Sequence, residues 1–126
     1  MLQAYSLNVA VNPNSAVPFN NIVIEKGQTA ILKASSSIEL NKTGVYMIEC
    51  DASAAASATI QLSRDGLLIP YATSTGTSMN FSSLVQVKNN NCCNNCYSSP
   101  TIISILNPTD AVETFTNINI VVTKIC

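Results

Sequence analysis

The feature of this sequence that most restricts its fold is a period of two. Apolar residues alternate with small polar ones in short runs, and turn formers interrupt the runs about every ten residues. In "ATIQLSRDGLLIP" (58–70), Ile60 and Leu62 alternate with Thr59, Gln61 and Ser63. In "TNINIVVTK" (116–124), Ile118, Ile120 and Val122 alternate with Asn117 and Asn119. Positions two apart share a face only in a strand, so these runs bury one side as β-structure and not as helix. The interruptions are "NPNS" (12–15), "EKGQ" (25–28), "NKTG" (41–44), "RDG" (64–66), "STGTS" (74–78) and "NPTD" (107–110). "RDG" predicts a tight hairpin in which Gly66 takes a positive φ.

The pattern predicts strands over 4–10, 20–24, 29–33, 36–40, 45–53, 57–63, 67–72, 78–87, 100–106 and 113–124. One stretch, "DASAAASAT" (51–59), carries alanines that favour helix. It lies between two strand patterns and is short, so it reads as strand end and loop. In the strand over 45–53, Tyr46, Ile48 and Cys50 share one face and Val45 and Met47 the other. Apolar residues on both faces predict a central strand covered on both sides. Many short strands at this spacing predict an all-β sandwich or barrel, formed as one domain over 1–126.

Composition narrows the function. Of 126 residues, 47% are hydrophobic and only 10% charged, while Asn, Ser and Thr make up roughly a third of the chain. Such a chain is neither disordered nor strongly charged. Net charge is −1, and the five lysines and the one arginine, Arg64, form no basic stripe, which argues against nucleic acid as a partner. No apolar run approaches the roughly 18 residues of a membrane span. The start, "MLQAYSLNVAVNPNS", has no basic segment followed by an apolar one. The expectation is therefore synthesis in the cytoplasm without a signal peptide, with release by lysis or as part of a particle.

The chain contains no histidine, the usual general base and the commonest metal ligand. There is no G-x-S-x-G motif, no phosphate loop, and only four glycines. The carboxylates Glu25, Glu39, Glu49, Asp51, Asp65, Asp110 and Glu113 are scattered. Glu49 and Asp51 share a strand face where they read as a solvated strand end, with a calcium site as the sharper alternative. The expectation is no catalysis and no cofactor.

Three of the five cysteines sit in "NNNCCNNCYSSP" (89–100). A zinc site takes four ligands and would need Cys92, Cys93 and Cys96 to be joined by Cys126. Thioredoxin-like redox chemistry would need a helix after the C-x-x-C, and "YSSP" leads into a strand instead. The reading that wins is a structural surface loop, reduced, stapled by disulfides, bonded across a trimer or holding a metal on the trimer axis. Five is an odd number, so at least one thiol is free or joined to another subunit. Cys50 reads as a small buried hydrophobe.

Three stretches in order resemble the TNF-like jelly roll of complement and tumour-necrosis-factor heads. They are "SSIELNKTGVYMIECDASA" (35–54), with "L-x-x-x-G-V-Y" entering a central strand, "ATIQLSRDGLLIPYA" (58–72) as a hairpin, and "TIISILNPTDAVETFTNINIVVTKI" (101–125) as the last two strands. The layout of nearly the whole chain also resembles small virion proteins of tailed phages and prophages of gut bacteria. The elements that match are Asn8 to Asn21, the paired cysteines Cys92-Cys93 before "ISILN" (103–107), and "NIVVTK" (119–124).

The resemblance implies a jelly-roll β-sandwich that forms a homotrimer and is exposed on a virion as a head decoration or fibre knob. It also implies contact with other capsid proteins and an extended N-terminal segment (about 1–18) used for attachment or subunit exchange. The alternatives are a trimeric module that binds a host-surface glycan or protein, and a bacterial spore-surface head, although no Gly-x-y stalk is present. Tyr46, Tyr71, Phe81 and Phe115 are candidates for core or trimer interface, and Tyr71 and Tyr97 for ligand contact by stacking.

Overall fold

The computed structural model describes residues 1–88 and 101–126; the candidates Cys92, Cys93, Cys96 and Tyr97 lie outside the described residues. The described chain forms eight strands: β1 (Leu2–Val11), β2 (Asn21–Glu25), β3 (Ala30–Lys33), β4 (Ser37–Leu40), β5 (Gly44–Arg64), β6 (Leu67–Val87), β7 (Thr101–Leu106) and β8 (Glu113–Lys124). The pairings are antiparallel.

The strands make two layers that share β5 and β6. Residues Tyr46 to Ser53 of β5 pair with β8, which pairs with β1, which pairs with β2. Residues Gln61 to Arg64 of β5 pair instead with β7, which pairs with β4, and β4 with β3. β6 follows β5 through both halves. The inward alternates of the two layers meet in one core. Leu2, Ala4, Ile48, Cys50, Ile120 and Val122 come from the first layer, and Ile38, Leu40, Ile60, Leu62, Ile103 and Ile105 from the second; none is more than 2% exposed. Burying a side chain the size of Leu or Ile stabilises the fold by about 1.5–3 kcal/mol, which is why the period-two pattern fixes the register.

The alternations of Ile60 with Leu62 and of Ile118, Ile120 and Val122 are those the sequence predicts. So is the "RDG" hairpin. Arg64 pairs with Leu67, and Asp65 and Gly66 have φ of 50° and 86°, the two positive values a type I′ turn requires. Asp65 also holds this turn onto β7. Its Oδ1 accepts the Ile102 N–H at 2.9 Å, and its own N–H donates to the Ile102 carbonyl at 2.7 Å.

Two predicted breaks are continuous strand. "DASAAASAT", read as strand end and loop, belongs to β5, which runs 21 residues. Between Ser53 and Ala58, five steps along β5 are matched by two along β6. The surplus residues, small alanines and a serine, are taken up as a bulge instead of ending the strand. "STGTS", read as a turn, lies inside β6, where Gly76 at φ 147° bends the strand. Ten predicted strands therefore become eight. The second register break, between Gln61 and Ser63, has two steps of β5 against five of β6 and cancels the first. Ser63, predicted to point outward, is buried beside it.

Much of the predicted N-terminal arm packs within its own chain. β1 lies between β2 and β8, and Val17 and Phe19 are buried. Their N–H groups donate to the carbonyls of Ile105 and Ser35, each at 2.7 Å.

Candidate functional site

Four adjacent strands lose their regularity at the same level. Leu7 pairs with Asn117, Asn117 with Ser53, and Ser53 with Ser78, which makes one row across the first layer. On one side of that row, β1 points Leu2, Ala4 and Ser6 inward and β8 points Ile118, Ile120 and Val122 inward. On the other side the inward residues are Val9, Val11 and Phe115, one position out of phase. β1 makes the switch at Asn8, whose φ of 50° suits Asn better than most residues. β8 makes it by exposing Thr116 and Asn117 in succession. The bulge of β5 and the bend of β6 at Gly76 lie next in line.

The misfit opens a pocket of about 290 Å³. Its lining combines apolar Ala55, Ala56, Ala58 and Val112 with polar Asn8, Ser57, Thr114 and Thr116, and Glu113 is its one charged residue. The carboxylate of Glu113 spans the gap the bulge creates. The Thr59 N–H donates to both its oxygens, at 2.9 Å to Oε1 and 3.1 Å to Oε2. Burial pushes the carboxyl above its ordinary value, against the pull of the hydrogen bonds from Thr59 and Thr109.

Behind Glu113 stands Asn107, fully buried. Its Nδ2 lies within hydrogen-bond distance of three carbonyls: Ala111 at 2.8 Å, Val11 at 3.1 Å and Asn12 at 3.3 Å. Its Oδ1 accepts the Thr109 N–H at 3.0 Å and the Thr109 hydroxyl at 2.7 Å. That hydroxyl has one proton, so its 3.4 Å approach to Glu113 Oε1 is secondary. One buried amide thus organises the loop between β7 and β8 and sets where β8 begins, with Glu113 as its first residue.

The outward face of the first layer carries a second feature. Val45, Met47 and Val121 are half-buried there, and Leu84 is 54% exposed. Met47 pairs with Leu84 on one side and Thr123 on the other, and Glu49 with Ser82 and Val121. Beside these apolar residues, Glu49, Asp51, Asn80 and Asn119 line a polar groove of about 300 Å³. Among the described residues no three His, Cys, Asp or Glu side chains gather to hold a metal.

The other predicted residues are spread through the fold. Tyr46 and Phe115 are fully buried and Phe81 nearly so, all within the core of one chain. The Tyr46 hydroxyl donates to the Lys42 carbonyl at 2.7 Å and accepts the Lys42 N–H at 3.2 Å; burial pushes the phenol above its ordinary value. Tyr71 is 77% exposed, with Leu67 and Leu68 exposed on the same strand. Cys50 is buried, and burial, reinforced by Asp51, pushes its thiol far up, away from reactivity. Cys126 is exposed, and its carbonyl accepts the Val45 N–H at 3.0 Å. In the sequence Glu113 reads as one of several scattered carboxylates and Asn107 as a turn residue. Asn107 to Thr109 is a local Asx pattern and was detectable. The partner of Glu113, Thr59, lies 54 positions away and leaves no local signal.

No protein-family profile and no curated protein sequence matches the chain. Solved structures do. The globular domain of the zebrafish complement 1qA protein is similar at 9% identity, over 99% of this chain and 96% of that one, with a TM-score of 0.75. Murine APRIL at pH 8.5 is similar at 11% identity, over 98% of each chain, with a TM-score of 0.65. Rabbit GITRL gives 15% identity, 98% and 94% coverage and a TM-score of 0.53. The chain has the TNF-like jelly-roll fold of such heads, the fold that the resemblance of residues 35–54, 58–72 and 101–125 implies.

Proposed function

We propose that this chain is a non-enzymatic structural head, a homotrimer exposed on a phage virion as a capsid decoration or fibre knob. The observation that carries the trimer is the outward face of the first layer. Val45, Met47, Val121 and Leu84 occupy strand positions that point away from the core. Apolar residues gathered on an outward face favour a protein partner over water. A net charge of −1 opposes self-association little. The likeness to complement and TNF-like heads supports a homotrimer as that partner.

The virion reading draws on the sequence layout of residues 8–21, 92–107 and 119–124, and on the capsid proteins that such a particle would offer as neighbours. Native mass spectrometry, with and without reductant, tests the assembly. A trimer is expected, and Met47→Glu is expected to dissociate it. A wild-type monomer at micromolar concentration overturns the reading. Proteomics of purified particles tests the location; particles that do not contain the chain overturn it.

Tyr71 favours a second reading, adhesion to a host surface. At 77% exposure its ring is free to stack on a sugar. Binding to intact host cells that Tyr71→Ala abolishes supports adhesion; no binding to cells or to a broad glycan panel removes it.

A further inference from the structure

We propose that the pocket between the β5 bulge and the start of β8 binds an organic cation, an alkylammonium group of the kind a lysine side chain carries, with Glu113 as its counter-ion. The pocket is complete within one chain, so the inference stands apart from the assembly and from the virion.

Four observations select this ligand. First, the carboxylate has no cation of its own. The one ion pair among the described residues is Arg64 with Asp65, at 3.9 Å, and residues 89–100 contain no lysine or arginine. Second, the carboxylate is held in place with capacity to spare. Among the described residues its short bonds are the shared ones from the Thr59 N–H, and an ionised carboxyl offers about four acceptor positions. Third, the methyl groups of Ala55, Ala56 and Ala58 are part of the lining, which suits the aliphatic stem of an alkylammonium group. Among the described residues no aromatic side chain lines the pocket to offer a sugar ring a flat face. One carboxylate is also too few for calcium, which takes about six to eight oxygens. Fourth, the site is braced from behind by Asn107, which is fully buried and ties the loop before β8 to the end of β1. An ammonium adds to the hydrogen bond the attraction of a full positive charge for the carboxylate, which a neutral hydroxyl lacks.

The test is methyl NMR of the full chain, following the alanine resonances of Ala55, Ala56 and Ala58 during titration. The probe is Nα-acetyl-lysine methylamide, with its Nε-acetylated form and N-acetylglucosamine as neutral comparisons. The expected result is saturable shifts at these methyls with the charged probe alone, and a loss of about tenfold or more in affinity in Glu113→Gln. Ala56→Leu fills the pocket from an exposed position and is expected to abolish binding while leaving the spectrum of the core unchanged; it decides the matter should Glu113→Gln fail to fold. Absence of shifts, equal shifts with the acetylated probe or the sugar, or binding retained in both variants overturns the proposal.

Discussion

The regular half of the first layer and the faulted level above it are built from the same four strands by different means. Between Gly44 and Ser53, β5 buries every second residue, and Tyr46, Ile48 and Cys50 interlock with Val122 and Ile120 across the ladder. Backbone pairing satisfies the polar groups there, and side chains have only to be apolar and of suitable size. From Ala54 to Ser57 the ladder to β6 is broken, and side chains take over the work of the backbone. Glu113 accepts the Thr59 N–H, Asn107 reaches the carbonyls of Val11, Asn12 and Ala111, and the Thr116 hydroxyl donates to the Ser53 carbonyl at 3.1 Å. Regular sheet tolerates substitution by kind; an interruption depends on particular residues.

This contrast can be broken by mutation. Ile48→Ala, in the regular half, is expected to cost the most, about 3 kcal/mol, because it leaves a cavity in a closed core. Ile48→Val should cost only about 1 kcal/mol, and urea unfolding of the pair measures the difference. Asn107→Ala comes next, at about 2 kcal/mol, because it strips buried carbonyls of their donor. Here the nearest conservative change should help little: Asn107→Asp cannot donate and is expected to be at least as damaging. An Asn107→Asp chain as stable as wild type would end the claim that the faulted level depends on one amide.

Glu113→Ala is expected to cost about 1 kcal/mol by orphaning the Thr59 N–H. Glu113→Gln, which keeps an acceptor, should cost less than about half of that. Glu113 also gives the faulted level a pH signature. Its carboxyl is raised in the folded chain, so between the unfolded and folded values the folded state binds more protons. Its contribution to stability is full below the unfolded value and is lost as pH rises through the folded one. Subtracting a Glu113→Gln stability profile from the wild-type profile should leave that fall alone. A difference that rises with pH contradicts the burial of the carboxyl.

The same division separates what the sequence revealed from what it hid. Alternation around Ile60 and Ile120 gave strand identity and core membership because the information is local and repeats every second residue. The Asp65-Gly66 turn was equally local. The continuity of β5 through "SAAAS" was not, because small residues are compatible with loop, helix and bulge alike. Only the pairing of Ala58 with Gly76 on another strand decides it. The pocket follows from that decision together with the phase shift at Asn8, so its carboxylate could be seen in the sequence as a residue but not as a site.

The long β5–β6 hairpin also orders events in time. Its two strands are joined by two turn residues and belong to both layers, so one local closure lays down a seam of each. The pairing of Leu2 with Val122 instead joins positions 120 apart and must wait on a large loss of chain entropy. A chain built this way is expected to assemble outward from its middle, with its two ends the last to dock and the first to let go.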